Sequence, residues 1–278
     1  MMTLTFAEQL PTQLPKTLPV YAAAAPIGPA RDIETIARSW PGLTLAHPKV
    51  RRIADWISAD YGQLGLIYQQ ASGAVQASVR TADAGVSEGN TQFPIKDERV
   101  VEIACVFLGK AHLVDDEVSK LKVGKITHLQ RQLASSDGVG PPEILDAGVV
   151  FTRVIDETPV VGPGGHVMVK VLPNEAIAGA SRVFRRRGPK VGAVRVKPPN
   201  DALAEFEQRL QRDRHLDGRV RVLRAQFGYF EAGRSQRQRL FEPAYAFVFV
   251  TDGPEPLKSA EVIWASGSNR GPPGAGDF

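Results

Sequence analysis

An acid, a phenol and a set of aromatic rings fall close together in the last third of the sequence. In the run RVRVLRAQFGYFE, the residues Leu223, Ala225, Phe227, Tyr229 and Glu231 alternate, so an extended chain turns them all to one side. Tyr245, Phe247 and Phe249 alternate in the next apolar run, and Trp264 lies in a third. If these faces meet, they form an aromatic wall edged by Tyr229, Glu231, Glu242 and Tyr245. Such a wall could hold an apolar ligand and orient it through a few polar groups. A carboxylate drawn into it has a raised pKa, so Glu231 with Tyr229 could serve as the acid–base pair of a cofactor-independent lyase, isomerase or cyclase. The same pattern also describes an ordinary sheet core with tyrosine hydroxyls at its rim.

Other reactive residue types are more scattered. The turn Gly162-Pro163-Gly164-Gly165 could cradle an anion on its backbone N–H groups, but Pro163 has none to offer and a hairpin requires such residues in any case. His166 then shares a strand face with Met168 and Lys170, opposite Val167, Val169 and Val171, so His166 and the nearby Arg153 join the ligand-binding candidates Tyr229, Glu231, Tyr245, Phe247 and Trp264. His112 with Asp115, Asp116 and Glu117 has the composition of a metal site without a second histidine at ligand spacing. His215 with Asp217 is no better, and His47 and His128 have no evident partner. No metal or cofactor is expected. The single cysteine, Cys105, lies in the apolar run VVEIACVFLG and reads as a packed core thiol. Motifs of serine hydrolases, zinc peptidases, dithiol proteins and phosphate-binding loops are absent from the sequence.

The elements that must position these residues follow one plan three times, a helix and then strands. In residues 1–92 the pattern predicts a strand at LPVYAA, helices over 30–40 and 50–61, and a hairpin of GQLGLIYQQ with GAVQASVR across Ala71-Ser72-Gly73. In 93–197 it predicts a helix over 97–113, the strand KVGKITHLQRQL, and a three-stranded antiparallel meander over 149–187 whose turns are the Gly/Pro cluster and Pro173-Asn174-Glu175. In 198–267, Asn200 can cap a helix over 201–211, and three strands follow; residues 268–278 read as a flexible tail. The resulting class is α+β, antiparallel sheets each packed by a helix, and the three spans are expected to form one compact unit.

The helix over 97–113, the strand through Thr127 and the stretch FTRVIDETPVVGPGGHVMVKVLPNEAIAGASRVFR together resemble PepSY-type repeats, which occur in propeptides of thermolysin-like peptidases and in bacterial regulatory and cell-envelope proteins. The echo is an aromatic-x-R-x-I-D-x-x-P-V-x-G strand and return, followed by an x-V-x-V strand. The resemblance is clearest over residues 97–187, and the other two spans match it in the order of their elements. It implies a non-catalytic domain that inhibits, assists folding or binds, with a peptide, a protein or an apolar small molecule as partner. Antiparallel sheet edges would be available for strand addition.

Charge narrows the choice of partner. The net charge of +4 demands no polyanion. Residues 182–197 carry seven cations and no acid, a strip that could meet phosphate or an acidic surface or lie solvated at a strand end. Interleaved exposed aromatics are missing from it, so nucleic acid is not expected. No run approaches the length and apolarity of a membrane span. The first twenty residues lack the pattern of a signal peptide, so a cytoplasmic location is expected, or an extracytoplasmic one if a leader has been removed.

Overall fold

Most of this chain is written in alternating apolar and polar residues, and in a computed structural model that alternation becomes strand. The described residues are 3–7, 11–26, 29–80, 93–114, 121–132, 134–135, 138–214, 219–251 and 258–266. The first strands, β1 (Thr3–Phe6) and β2 (Thr17–Ala23), precede helix α1 (Pro29–Ser39). Two hairpins follow, β3 (Lys49–Ile53) with β4 (Trp56–Asp60) and β5 (Leu64–Gln69) with β6 (Val75–Val79). Helix α2 (Asp97–Lys110) leads to the long strand β7 (Lys122–Arg131). The short β8 (Ala134–Ser135) and β9 (Gly138–Val139) pair with each other before β10 (Glu143–Thr152). An excursion through β11 (Val154–Ile155) and β12 (Thr158–Val161) returns to β13 (His166–Val171) and β14 (Ile177–Val183). Then come β15 (Arg187–Arg195) and helix α3 (Pro199–Arg214). The last strands are β16 (Arg219–Phe230), β17 (Leu240–Phe241), β18 (Pro243–Thr251) and β19 (Lys258–Trp264).

The chain divides into two units, each made of separate stretches. One comprises Ala25–Val154 and His166–Arg185; the other comprises Met1–Ala24, Ile155–Gly165 and Arg186–Phe278. The first holds an eight-stranded sheet in the order β3-β4-β5-β6-β14-β13-β10-β7, with every pairing antiparallel. Its strands turn Leu66, Tyr68, Val149, Val167 and Val169 to one face, where α1 adds Ile36 and, just past its end, Trp40, and α2 adds Val100 and Phe107. Trp40 meets Phe107 edge-on at 4.8 Å, which joins the two helices in one layer. Each such buried aliphatic or aromatic side chain contributes about 1.5–3 kcal/mol, so this layer is the main source of the unit's stability.

The second unit holds a six-stranded sheet, β11-β12-β16-β18-β19 with β1 also on β16, and a three-stranded one, β15-β2-β17. Both β1 and β12 run parallel to β16, so this sheet is mixed rather than purely antiparallel. A bulge between Val222 and Arg224 keeps Val220, Val222, Ala225 and Phe227 on one buried face although they do not alternate strictly. Helix α3 covers that face, its Phe206 stacked on Phe247 at 4.4 Å and edge-on to Phe249 at 5.5 Å. Pro199 occupies the first helical position, where its missing N–H costs nothing, so the helix opens one residue before Asn200.

Several expectations are corrected. Residues 50–61 form the β3–β4 hairpin, not a helix; Ala54 takes φ 48° in its turn. Cys105 is exposed, because α2 buries Ala104, Phe107 and Leu108 and turns Cys105 and Val106 outward. The Gly/Pro cluster is not the turn of a hairpin, since β12 joins β16 and β13 pairs instead with β10, Phe151 opposite Val167. The tight turn lies earlier, at Asp156 and Glu157, both with positive φ (45° and 63°). The glycines are required for closeness: a Cβ on Gly162 would stand 2.6 Å from the Glu231 carbonyl oxygen, and one on Gly164 2.4 Å from that of Ala232.

Candidate functional site

Helix α1 is short and sharply two-faced. Ile33, Ile36 and Ala37 go inward, and Glu34 and Arg38 stay outside, one turn apart and joined by a 2.6 Å ion pair. After Trp40 the chain turns at Pro41-Gly42, where Gly42 takes φ 73°, and runs over the sheet to β3. That run is pinned where Ala46 N–H donates to the Tyr61 carbonyl at 3.1 Å. Between α1, this run and the β3–β4 end of the sheet lies a cavity of about 660 Å3. Its apolar walls are Ile33, Leu45, Val50 and Ile57; Arg38, His47 and Arg52 supply its polar edge. Tyr61 also lines it, its hydroxyl pushed up in pKa mainly by burial and further by Glu34, with Arg38 opposing.

The groove continues onto exposed apolar surface. Val50 (61% exposed) carries it outward, in a hairpin whose outer strand is solvated along its whole length; Ile53 and Trp56 are exposed as well, on the other face of that hairpin. The pairs Val50↔Ala59 and Arg52↔Ile57 place Val50 and Arg52 on the groove face. Lys49↔Asp60, Arg51↔Ser58 and Ile53↔Trp56 face the other way. Asp60 at the far end of β4 pairs with Arg80 at 2.9 Å, and the Gly62 N–H, ahead of Arg80 and Lys49, holds its carboxyl below the usual range against partial burial.

The residues singled out in the sequence lie away from this groove. Tyr245 and Phe247 share a face, rings 6.5 Å apart, under α3; the Tyr245 hydroxyl donates to the Lys197 carbonyl at 2.6 Å, and burial raises its pKa to about 12. Tyr229 packs with Ile155, Val160 and Phe241 and donates to the Pro19 carbonyl at 2.9 Å; burial, then Tyr21 and Asp156, raise its pKa. Trp264 sits on the opposite sheet face, edge-on to Phe230 at 5.4 Å, because its strand partner is Ala244 rather than Tyr245. Glu231 is fully buried, its N–H donating to Val161 and its carbonyl accepting from Gly164. The aromatic wall is thus a filled core.

His166 and Arg153 belong to the eight-stranded unit. His166 is half-buried between Thr152 and Val183 on neighbouring strands. Arg153 is buried, donates to the Arg185 carbonyl at 2.6 Å and lies 5.3 Å from the Phe184 ring. The basic strip is not solvated throughout either. Arg182 is buried and donates to the carbonyls of Leu113 and Gly73 while pairing with Asp32 at 3.0 Å. Asp115, Asp116, Glu117, His215 and Asp217 lie outside the described residues. Sequence reasoning passed over Arg38, His47, Val50, Arg52 and Tyr61; the signal present was KVRRI, three cations and two aliphatic residues in a row of five with no acid.

No protein-family model matches the sequence, and no curated protein does. Among solved structures, an uncharacterized protein from Eubacterium rectale is 9% identical, with 95% of this chain and 88% of that chain covered at a TM-score of 0.59. That likeness shows a shared fold. The Bacillus megaterium YpeB C-terminal domain is 10% identical over 86% of this chain and 99% of that chain, at a TM-score of 0.35. Among the described residues no helix is long and apolar enough to cross a membrane, and no cluster of metal-ligating residues occurs. The arrangement at α1 and β3 can do one thing chemically: desolvate an apolar group while cations at its edge hold a negative one.

Proposed function

We propose that the protein is a non-catalytic, PepSY-like binding protein that takes an apolar ligand or peptide segment in the groove between α1 and the β3–β4 hairpin. The observation that carries this reading is the cavity of about 660 Å3, within the roughly 300–1,000 Å3 of small-ligand sites, opening onto exposed Val50. The PepSY part of the reading is supported by the order of elements. A helix precedes antiparallel strands three times, in α1 with β3 to β6, in α2 with β7, β10, β13 and β14, and in α3 with β16, β18 and β19. That order fits modules at 1–92, 93–197 and 198–267. The acid–base pair Glu231 and Tyr229 carries less of the argument, because both side chains are fully buried.

The test is a titration with anilinonaphthalene sulfonate, an apolar anion, followed by its fluorescence. The wild-type chain should bind it saturably, and Val50→Asp, a change at an exposed position, should weaken binding about tenfold, equivalent to about 1.4 kcal/mol. Equal binding by both chains would remove the groove as the site.

A further inference from the structure

We propose that the outer edge of β3 captures an extended peptide in which acidic and aliphatic residues alternate, bound as a ninth strand of the eight-stranded sheet. This rests on the reading of the groove as a binding site and specifies its occupant. Strand β3 ends the sheet order and pairs only with β4 among the described residues, so one row of its backbone N–H and C=O groups faces outward. A strand laid along that row turns every second side chain to the groove face, beside Val50 and over the space bounded by Ile33 and Leu45. The remaining side chains come alongside Lys49, Arg51 and Ile53.

Charge selects the occupant. Lys49, Arg51 and Arg52 lie within five consecutive residues, and Arg38 and His47 stand at the groove. Of the acids nearby, Glu34 is paired with Arg38 and Asp60 with Arg80, which leaves Asp55 in the β3–β4 turn against the three cations Lys49, Arg51 and Arg52. A second copy is disfavoured, because antiparallel β3 strands centred on Arg51 would set that arginine against its equivalent and Lys49 against Ile53. An acidic strand removes the repulsion and gains ion pairs opposite Lys49 and Arg51. Opposite Val50, an aliphatic side chain replaces water against the exposed apolar surface of that residue.

The experiment uses the full chain and three synthetic peptides, followed by calorimetry: acetyl-ELEVEL-amide, its lysine counterpart KLKVKL, and ELEVEL with every second amide N-methylated, in both registers. The acidic peptide should bind. The lysine peptide and one of the two N-methylated registers should each bind about tenfold more weakly, and Arg51→Glu should reverse the preference between acidic and basic peptides. If anilinonaphthalene sulfonate fills the groove while ELEVEL fails to bind, or binds equally in both N-methylated registers, strand capture is overturned and the groove reading stands. If neither probe binds a chain whose circular dichroism is that of a folded β protein, both are overturned. Peptide-independent dimerisation in sedimentation, abolished by Val50→Asp, would overturn the acidic peptide in favour of a second copy.

Discussion

Arg182 shows how a charge counted as surface can hold a core together. Its guanidinium supplies donors to the Leu113 and Gly73 carbonyls and to the Asp32 carboxylate, tying the end of α2, the β5–β6 turn and α1 to β14. Removing it leaves Asp32, itself only 15% exposed, without its cation and two carbonyls without a donor. Arg182→Met should therefore cost about 3–5 kcal/mol, read as a fall in the urea midpoint. Adding Asp32→Asn should restore part of that loss, because the stranded charge disappears. The sequence made Arg182 visible only as one of seven cations, since composition reports a charge and not where its donors point. Cys105 misled for a related reason. The run IACVFL is apolar on every side, so periodicity cannot tell which residues α2 turns outward.

At the scale of elements, strands and their near antiparallel partners were legible, β5 with β6 and β13 with β10 and β14, and distant partners were not. The alternation that predicts β5, β6, β13 and β16 is local, whereas the parallel pairing of β12 with β16 joins residues far apart in the chain. Residues 50–61 imitate a helix because Val50, Ile53, Trp56 and Ile57 fall at spacings that suit either period, and the Ala54-Asp55 turn carries no glycine or proline. The turn at Asp156-Glu157 is hidden in the same way. What the Gly/Pro cluster does announce is close packing, and that is testable. Gly164→Ala should destabilise the chain by about 1–3 kcal/mol, because its Cβ would meet the fixed Ala232 carbonyl. Gly192→Ala, with nothing near its Cβ, is the control and should leave the thermal midpoint in place. The candidate groove was illegible because its walls come from α1, the run before β3, the β3–β4 hairpin and Tyr61 at once, a fact of packing that no single element records.

At the scale of the molecule, each unit carries a buried phenol that sets an alkaline limit. Burial raises Tyr68 to about 12, with Asp32 adding and Arg182 opposing, and burial with a smaller push from Asp201 raises Tyr245 to about 12. A pKa higher in the folded than in the unfolded chain means stability that is whole below about pH 10 and is lost as pH rises toward about 12. Urea midpoints measured between those values should fall steadily, and Tyr245→Phe should flatten part of the decline. On the acid side Glu205 acts in the opposite sense: burial raises its pKa, but hydrogen bonds from Lys197 and Arg209 outweigh that and hold it low. Its contribution is present above the ordinary glutamate range and is lost as pH falls through its lowered value.

The excursion at β11 and β12 has a consequence for how such a protein can be inherited. Thr152 and His166 are direct neighbours in one sheet, yet the residues between them include a strand of another. Neither unit is therefore encoded by one uninterrupted stretch of gene. A single recombination event that carried either unit away would leave part of it behind or take part of the other with it. Duplication, loss or exchange must act on the two together, so a lineage that keeps the eight-stranded sheet and its groove by such events keeps the aromatic core under α3 as well.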